Sequence, residues 1–264
     1  MISDRPSRFP RSLKSAARIL FSLLFWFLLW WGVSLLYAKP FLLPSPPKVL
    51  IRLTELLREA RFYLYVANSL LHILIGLLAG CLIGFLSGIA VAFSRIADAL
   101  LTPAFAIARA TPVVCFVIVA WIFIGAQILP VFISALMVAP IILSATATSI
   151  RNIPPTLLEA AESYHLSRFL RFRVLYFPAM LPHLRSSLVT CVGLAWKSGV
   201  AAEVIALSAN SVGYAIWEAK SWYMDYETVF AWTLVIVFIS LAFETAVKHL
   251  LCHKRRTTNA DGAH

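Results

Sequence analysis

Residues 67–93 read ANSLLHILIGLLAGCLIGFLSGIAVAF, 27 residues without one Asp, Glu, Lys or Arg. Folded as a helix, such a run is about 40 Å long, enough to cross the roughly 30 Å hydrocarbon core of a bilayer. Lipid offers the backbone no water, so an apolar run of this length must satisfy its own N–H and C=O groups as a helix. Gly76, Gly80, Gly84 and Gly88, four of the chain's ten glycines, recur in it every four residues. That period holds them on one slowly rotating stripe, a groove that lets another helix approach backbone to backbone. Two readings of the groove stand side by side: fixed tight packing, and a contact that slides or rotates as the molecule changes state.

Applied outward from this stretch, the same length test finds further spans at about 19–37, 104–125, 128–150, 185–207 and 228–250, six in all. One membrane domain therefore covers 19–250, with basic tails at 1–18 and 251–264. Composition agrees: 61% of the residues are hydrophobic, 13% are charged, and the mean hydropathy is +0.84. A soluble domain carries about 25% charged residues. A single core could not hide the excess apolar surface, which excludes a soluble enzyme and a disordered chain. The first span follows Arg5, Arg8, Arg11, Lys14 and Arg18 but runs on through Trp30, Trp31 and Tyr37 with no small-residue cleavage site. It outlasts the h-region of a signal peptide and is expected to remain as an anchor.

The net charge of +11 belongs to the loops. With the N-terminus inside, fifteen Lys and Arg residues fall on the cytoplasmic side and six outside, so both termini are expected in the cytoplasm and no nucleic-acid role is expected. The outer segment 38–66 opens with Leu43-Pro44-Ser45-Pro46-Pro47 and predicts a short amphipathic helix over 48–60. No phosphate-binding G-x-x-x-x-G-K-[ST] loop, nucleophile elbow or H-E-x-x-H helix is present, so neither catalysis nor a cofactor is expected. Cys81, Cys115, Cys191 and Cys252 read as small packing residues, and His249 and His253 as residues reaching for the membrane surface rather than metal ligands.

The inner loop 151–184 is long for a bundle connection. Asn152 precedes Pro154-Pro155, which predicts a first helix with Glu159 and Glu162 in its early turns. Ser167 can cap a second helix, carrying Arg168, Arg171 and Arg173 and stopping before Pro178. Such a protruding hairpin suits a protein partner or, for its second helix, the membrane surface. Arg109, Lys197 and Glu203 are ionisable residues inside spans. Lys197 and Glu203 are six residues apart, about 120° around a helix, so they do not form a same-face pair. A charge in lipid costs at least roughly 2.5–3.5 kcal/mol, so each must face a partner, the bundle interior or water. Lining a path and pairing between helices are both open to them.

Leu158-Glu159-Ala160-Ala161, then His165, then Leu175 and Phe177-Pro178 at the observed spacing, resemble the EAA loop of ATP-binding-cassette importer permeases. The sequence departs from that loop at His165, where the family usually has glycine, and at Leu175 and Phe177 in place of Ile and Leu. A side chain at position 165 disfavours the left-handed helix end that glycine supplies. Leu43–Pro46, Asn68–Leu70, Ala108–Pro112, Ala195–Lys197, Ala201–Glu203 and Val212–Tyr214 are similar to the nitrate/sulfonate/taurine-type branch.

The resemblance implies an all-α type I permease fold with spans two to six as its core, and a homodimer. It implies ATPase subunits docked on the hairpin through Leu158–Ala161, His165 and Pro178, and an extracytoplasmic solute-binding protein that delivers cargo to the 38–66 and Trp217–Glu227 loops. The cargo it implies is a small anion such as nitrate, a sulfonate or taurine, with pyrimidine and other vitamin precursors also found in the branch. Two rivals remain. One is a self-contained secondary transporter using Arg109, Lys197 and Glu203 as ion relays, which usually shows internal repeats not seen here. The other is an inert scaffold that displays the loop to a soluble partner.

Overall fold

The computed structural model describes residues 11–37 and 41–260, the side chains at 11–17, 19 and 250–260 excepted. The expectations for Arg5 and Arg8 and for the side chains of Arg11, Lys14, Cys252 and His253 lie outside the described residues. The described residues contain no strand. Among the described residues five helices are long and apolar enough to span a membrane, six if a bent helix pair counts as one span.

The chain opens with α1 (Arg11–Tyr37), α2 (Pro46–Leu56) and α3 (Ala60–Phe93). Pro46 and Pro47 occupy the first positions of α2, where a missing N–H costs nothing. The third span is not the single helix 104–125. It divides into α4 (Arg95–Ala110) and α5 (Val113–Phe123), bent by 109°. The residue before a proline is pushed out of the helical region, and Thr111, preceding Pro112, sits at ψ 134°. Pro112 is extended as well, and two extended residues in succession turn a kink into a corner.

α6 (Leu129–Arg151), α7 (Pro155–Ser163), α8 (Arg168–Arg171) and α9 (Phe177–Ala206) follow, with a π-helical turn over Phe172–Tyr176. The second hairpin helix does not stop before Pro178: helical structure runs unbroken from Arg168 to Ala206, 39 residues. The wider π turn holds Val174, whose carbonyl a regular helix would drive into the Pro178 ring. α10 (Val212–Ser221) takes up part of the expected Trp217–Glu227 loop, and α11 (Tyr226–Ala260) continues past the expected span end at 250.

The glycine stripe sets the central seam. A Cβ on Gly80 would stand 2.7 Å from the Ala135 carbonyl oxygen and 2.9 Å from its Cα, and Gly76, Gly84 and Gly88 approach the Val131, Ala139 and Leu143 carbonyls as closely. Both series ascend together, so α3 and α6 are parallel neighbours in backbone contact. α9 runs the other way: a Cβ on Gly199 would meet Ile73 and Ser134, while the Phe93 and Tyr176 rings meet edge to face at 5.2 Å at the hairpin end. Ile73, Leu77, Val138, Ile142, Cys191, Ala195 and Trp196 fill the space between these three helices. At the end away from the hairpin, Val49, Phe62, Val212 and Trp232 bind α2 and α10 to α3 and α11. α1 lies outside, largely exposed, with Trp30 stacked on Phe230 at 5.7 Å.

Candidate coupling hairpin and translocation face

α7 ends in a turn that the side chain at position 165 was expected to oppose. His165 takes φ 51°, the left-handed conformation. Its N–H donates to the Glu162 carbonyl at 2.9 Å, and the Leu166 N–H donates to the Ala161 carbonyl at 3.1 Å. This crossed pair is the Schellman arrangement usually built on glycine, so two bonds outweigh the cost of the side chain. Ala161 is buried under the turn, Leu158 is half-buried, and Glu159, Ala160 and His165 face outward. Ser167 then caps α8 by accepting from the Leu170 N–H at 3.3 Å. The hairpin leaves large apolar side chains uncovered: Tyr164 is 80% exposed and Phe169 76%, joined by Leu157 and Val174. Pro178, exposed, stands where the hairpin becomes the α9 rod.

Along α9, exposed or half-buried polar residues recur at helical spacing: His183, Ser186, Ser187, Thr190 and Lys197. They form one stripe about 21 Å long. Beside its hairpin end, Arg109, Ser144, Thr148, His183, Ser186 and Ser187 line an open groove of about 330 Å³. The Arg109 Nη1 donates to the Ser144 hydroxyl at 3.3 Å. Arg109 thus borders the hairpin end of the stripe, and Lys197 continues the stripe further along α9. The spacing of the serines and threonine along span five was the signal that could have found this stripe.

Glu203 is placed elsewhere. It is 0% exposed, neither reaches a surface nor meets Lys197, and faces the junction of α3, α9 and α10. Its Oε2 accepts from the Ser69 hydroxyl at 2.8 Å and from the Gly213 N–H at 3.1 Å. The Ser69 oxygen in turn accepts from the Val212 N–H at 2.9 Å. Three segments singled out in the sequence, Asn68–Leu70, Ala201–Glu203 and Val212–Tyr214, therefore meet at one carboxylate. Ser69 lies 134 residues from Glu203, and nothing in the sequence spacing pointed to it.

The end away from the hairpin is also tied by charge. The Arg52 Nε donates to Thr228 Oγ1 at 2.7 Å, fastening α2 to the start of α11, and Nη1 donates to Glu55 Oε2 at 2.9 Å within α2. Arg52, Tyr65, Glu218 and Trp232 border a cavity of about 320 Å³ there. Among the described residues no cluster of His, Cys, Asp and Glu could hold a metal ion.

Residues 73–255 match the family described as binding-protein-dependent transport system inner membrane component. The chain is 28% identical to the Escherichia coli taurine transport system permease protein TauC, over 87% of this chain and 84% of that protein. It is 30% identical to a probable ABC transporter permease protein of Haemophilus influenzae, over 85% and 91%. A nitrate import permease protein NrtB of Leptolyngbya laminosa is 29% identical over 67% of this chain and 62% of that one. The fold also matches a chain in the crystal structure of a bacterial ABC transporter involved in the import of alginate, with a TM-score of 0.63, 17% identity and coverage of 92% and 99%. The chain belongs to the binding-protein-dependent transport system inner membrane component family, and it is the membrane-spanning permease subunit of an ATP-binding-cassette importer.

Proposed function

We propose that this permease works as a homodimer in the cell's inner or plasma membrane, with both termini cytoplasmic. Two separate ATPase subunits dock on the α7–α8 hairpins, and an extracytoplasmic solute-binding protein delivers a small anion to the opposite face. The observation that carries the reading is the hairpin itself. It is a rigid turn locked at His165 that presents Tyr164, Leu157 and Phe169 uncovered to solvent. Exposed aromatics on a fixed frame suit burial against a protein groove. Neither an ion-coupled transporter working alone nor an inert scaffold gives such a hairpin a task continuous with a membrane helix. Glu159, Ala160 and His165 form the outward side of the contact, Leu158 and Ala161 support it from beneath, and Pro178 marks its junction with the rod.

The path follows the polar stripe of α9, bordered by Arg109 and completed by the same stripe of a second copy. Lipid cannot cover that side without stranding two cations. The cationic lining favours an anion, in keeping with relatives named for taurine and nitrate transport. ATP-driven closure of the ATPase pair would move the hairpins and exchange the side on which the path opens. The permease contributes no covalent chemistry to this cycle. Co-purification tests the reading: Glu159→Arg should abolish capture of the ATPase encoded with this chain while the permease stays folded. Capture at the unaltered level would remove the hairpin from the interface.

A further inference from the structure

Glu203 has no task in the transport reading given so far, yet it is the most completely buried charged residue in the described part of the bundle. A carboxylate there is expensive unless its oxygens are met by donors. One oxygen is met twice, by the Ser69 hydroxyl and the Gly213 N–H, and Oε1 has no hydrogen-bond partner among the described residues. The donors come from two other elements. Ser69 belongs to α3, and Gly213 lies at the start of α10, where free N–H groups and the helix dipole favour an anion. Ser211 caps that same end, accepting from the Tyr214 N–H at 3.1 Å. Space reinforces the arrangement: a Cβ on Gly213 would stand 2.6 Å from the Val204 nitrogen and closer still to the Glu203 Cβ. α9 itself ends immediately above, with Leu207 left-handed at φ 54° and the Ser208 N–H returning to the Glu203 carbonyl at 3.1 Å.

We propose that Glu203 is a positioning residue that latches α10 to α3 and to the head of α9, and that releasing this latch frees α10 when the outer end of the path opens. The role in opening rests on the transport reading above; the latch itself rests on the hydrogen bonds alone. An apolar contact would let α10 shift by small degrees, whereas a single buried carboxylate is satisfied in one arrangement and stranded in any other. That makes the junction a two-position device.

The test uses the full chain with its ATPase and binding protein in lipid nanodiscs, comparing wild type with Ser69→Ala and Glu203→Gln. Ser149→Ala serves as a control, because its hydroxyl bonds only to Ala145 within α6. Amide exchange at Val212 and Gly213 should quicken on the order of tenfold to a hundredfold in both test variants and stay unchanged in the control. ATP hydrolysis without binding protein should rise severalfold, with less solute moved per ATP. Unchanged exchange in Ser69→Ala overturns the latch even if Glu203→Gln fails to fold. Faster exchange with wild-type coupling overturns its part in opening. A wild-type complex that moves no solute with ATP would defeat the transport reading and, with it, the opening role, while exchange alone would still decide whether Glu203 holds α10.

Discussion

Gly80→Ala puts one methyl group into the seam between α3 and α6. The new Cβ would sit 2.7 Å from the Ala135 carbonyl oxygen, 2.8 Å from the Val138 Cβ and 2.9 Å from the Ala135 Cα, where ordinary contact begins at 3.4 Å. About 0.5–0.7 Å must be found at three atoms at once, and two of them are backbone that no rotamer change can move aside. α3 must therefore lift from α6 along the stripe, and a gap of that size forfeits a quarter to a half of each dispersion contact it opens. Overpacking of this kind costs about 1–3 kcal/mol. Alanine's better helix propensity offsets little of it, because a spanning segment stays helical in lipid even when its neighbours separate. The folded-to-unfolded ratio should fall roughly five- to 160-fold, read by reversible unfolding in mixed lipid–detergent micelles. Gly32→Ala, with nothing within 4 Å, and Gly193→Ala, whose nearest neighbour is the Glu244 carboxylate at 4.0 Å, should stay close to wild type. Equal losses at all three sites, or no loss at Gly80, would refute the seam as a backbone contact.

His165→Gly should stabilise the hairpin turn by about 1 kcal/mol, since a side chain in the left-handed region costs roughly that much. Amide exchange at Leu166 should slow about fivefold, and an unchanged rate would mean that the turn is unstrained. Lys197→Met should abolish solute uptake in proteoliposomes with assembly intact, because the polar stripe loses its charge beside mid-span; unaltered uptake would take Lys197 off the path.

The spans were legible because the demand lipid makes on a helix is local: length and apolarity decide it within each segment. The corner at Thr111-Pro112 could not be read as an angle, since the proline rule restricts one residue's backbone and leaves the next to its surroundings. The hairpin's position could be read from the spacing around Glu159 and His165. Its geometry could not, because the Schellman bonds that hold His165 left-handed depend on Leu166 folding back over Ala161. Pro178 was misread as a stop because a π turn ahead of it is not written in any short pattern. Lys197 and Glu203 were separable by helical phase, but which of them was buried depended on Ser69 and Gly213, brought close only by the packing of α3 and α10.

The continuous helix from Arg168 to Ala206 has its irregularities gathered at its foot, in the π turn, Pro178 and Pro182. Above Pro182 no proline interrupts it, so roughly 36 Å of shaft has no joint. A nudge delivered near Arg168 would be absorbed as a swivel at the base and emerge at the crown, beside Glu203, as rotation of the whole mast. On the proposed coupling, one piece of secondary structure would set the gearing between the two faces of the membrane, and shortening or softening that collar would change how far the crown swings for the same push.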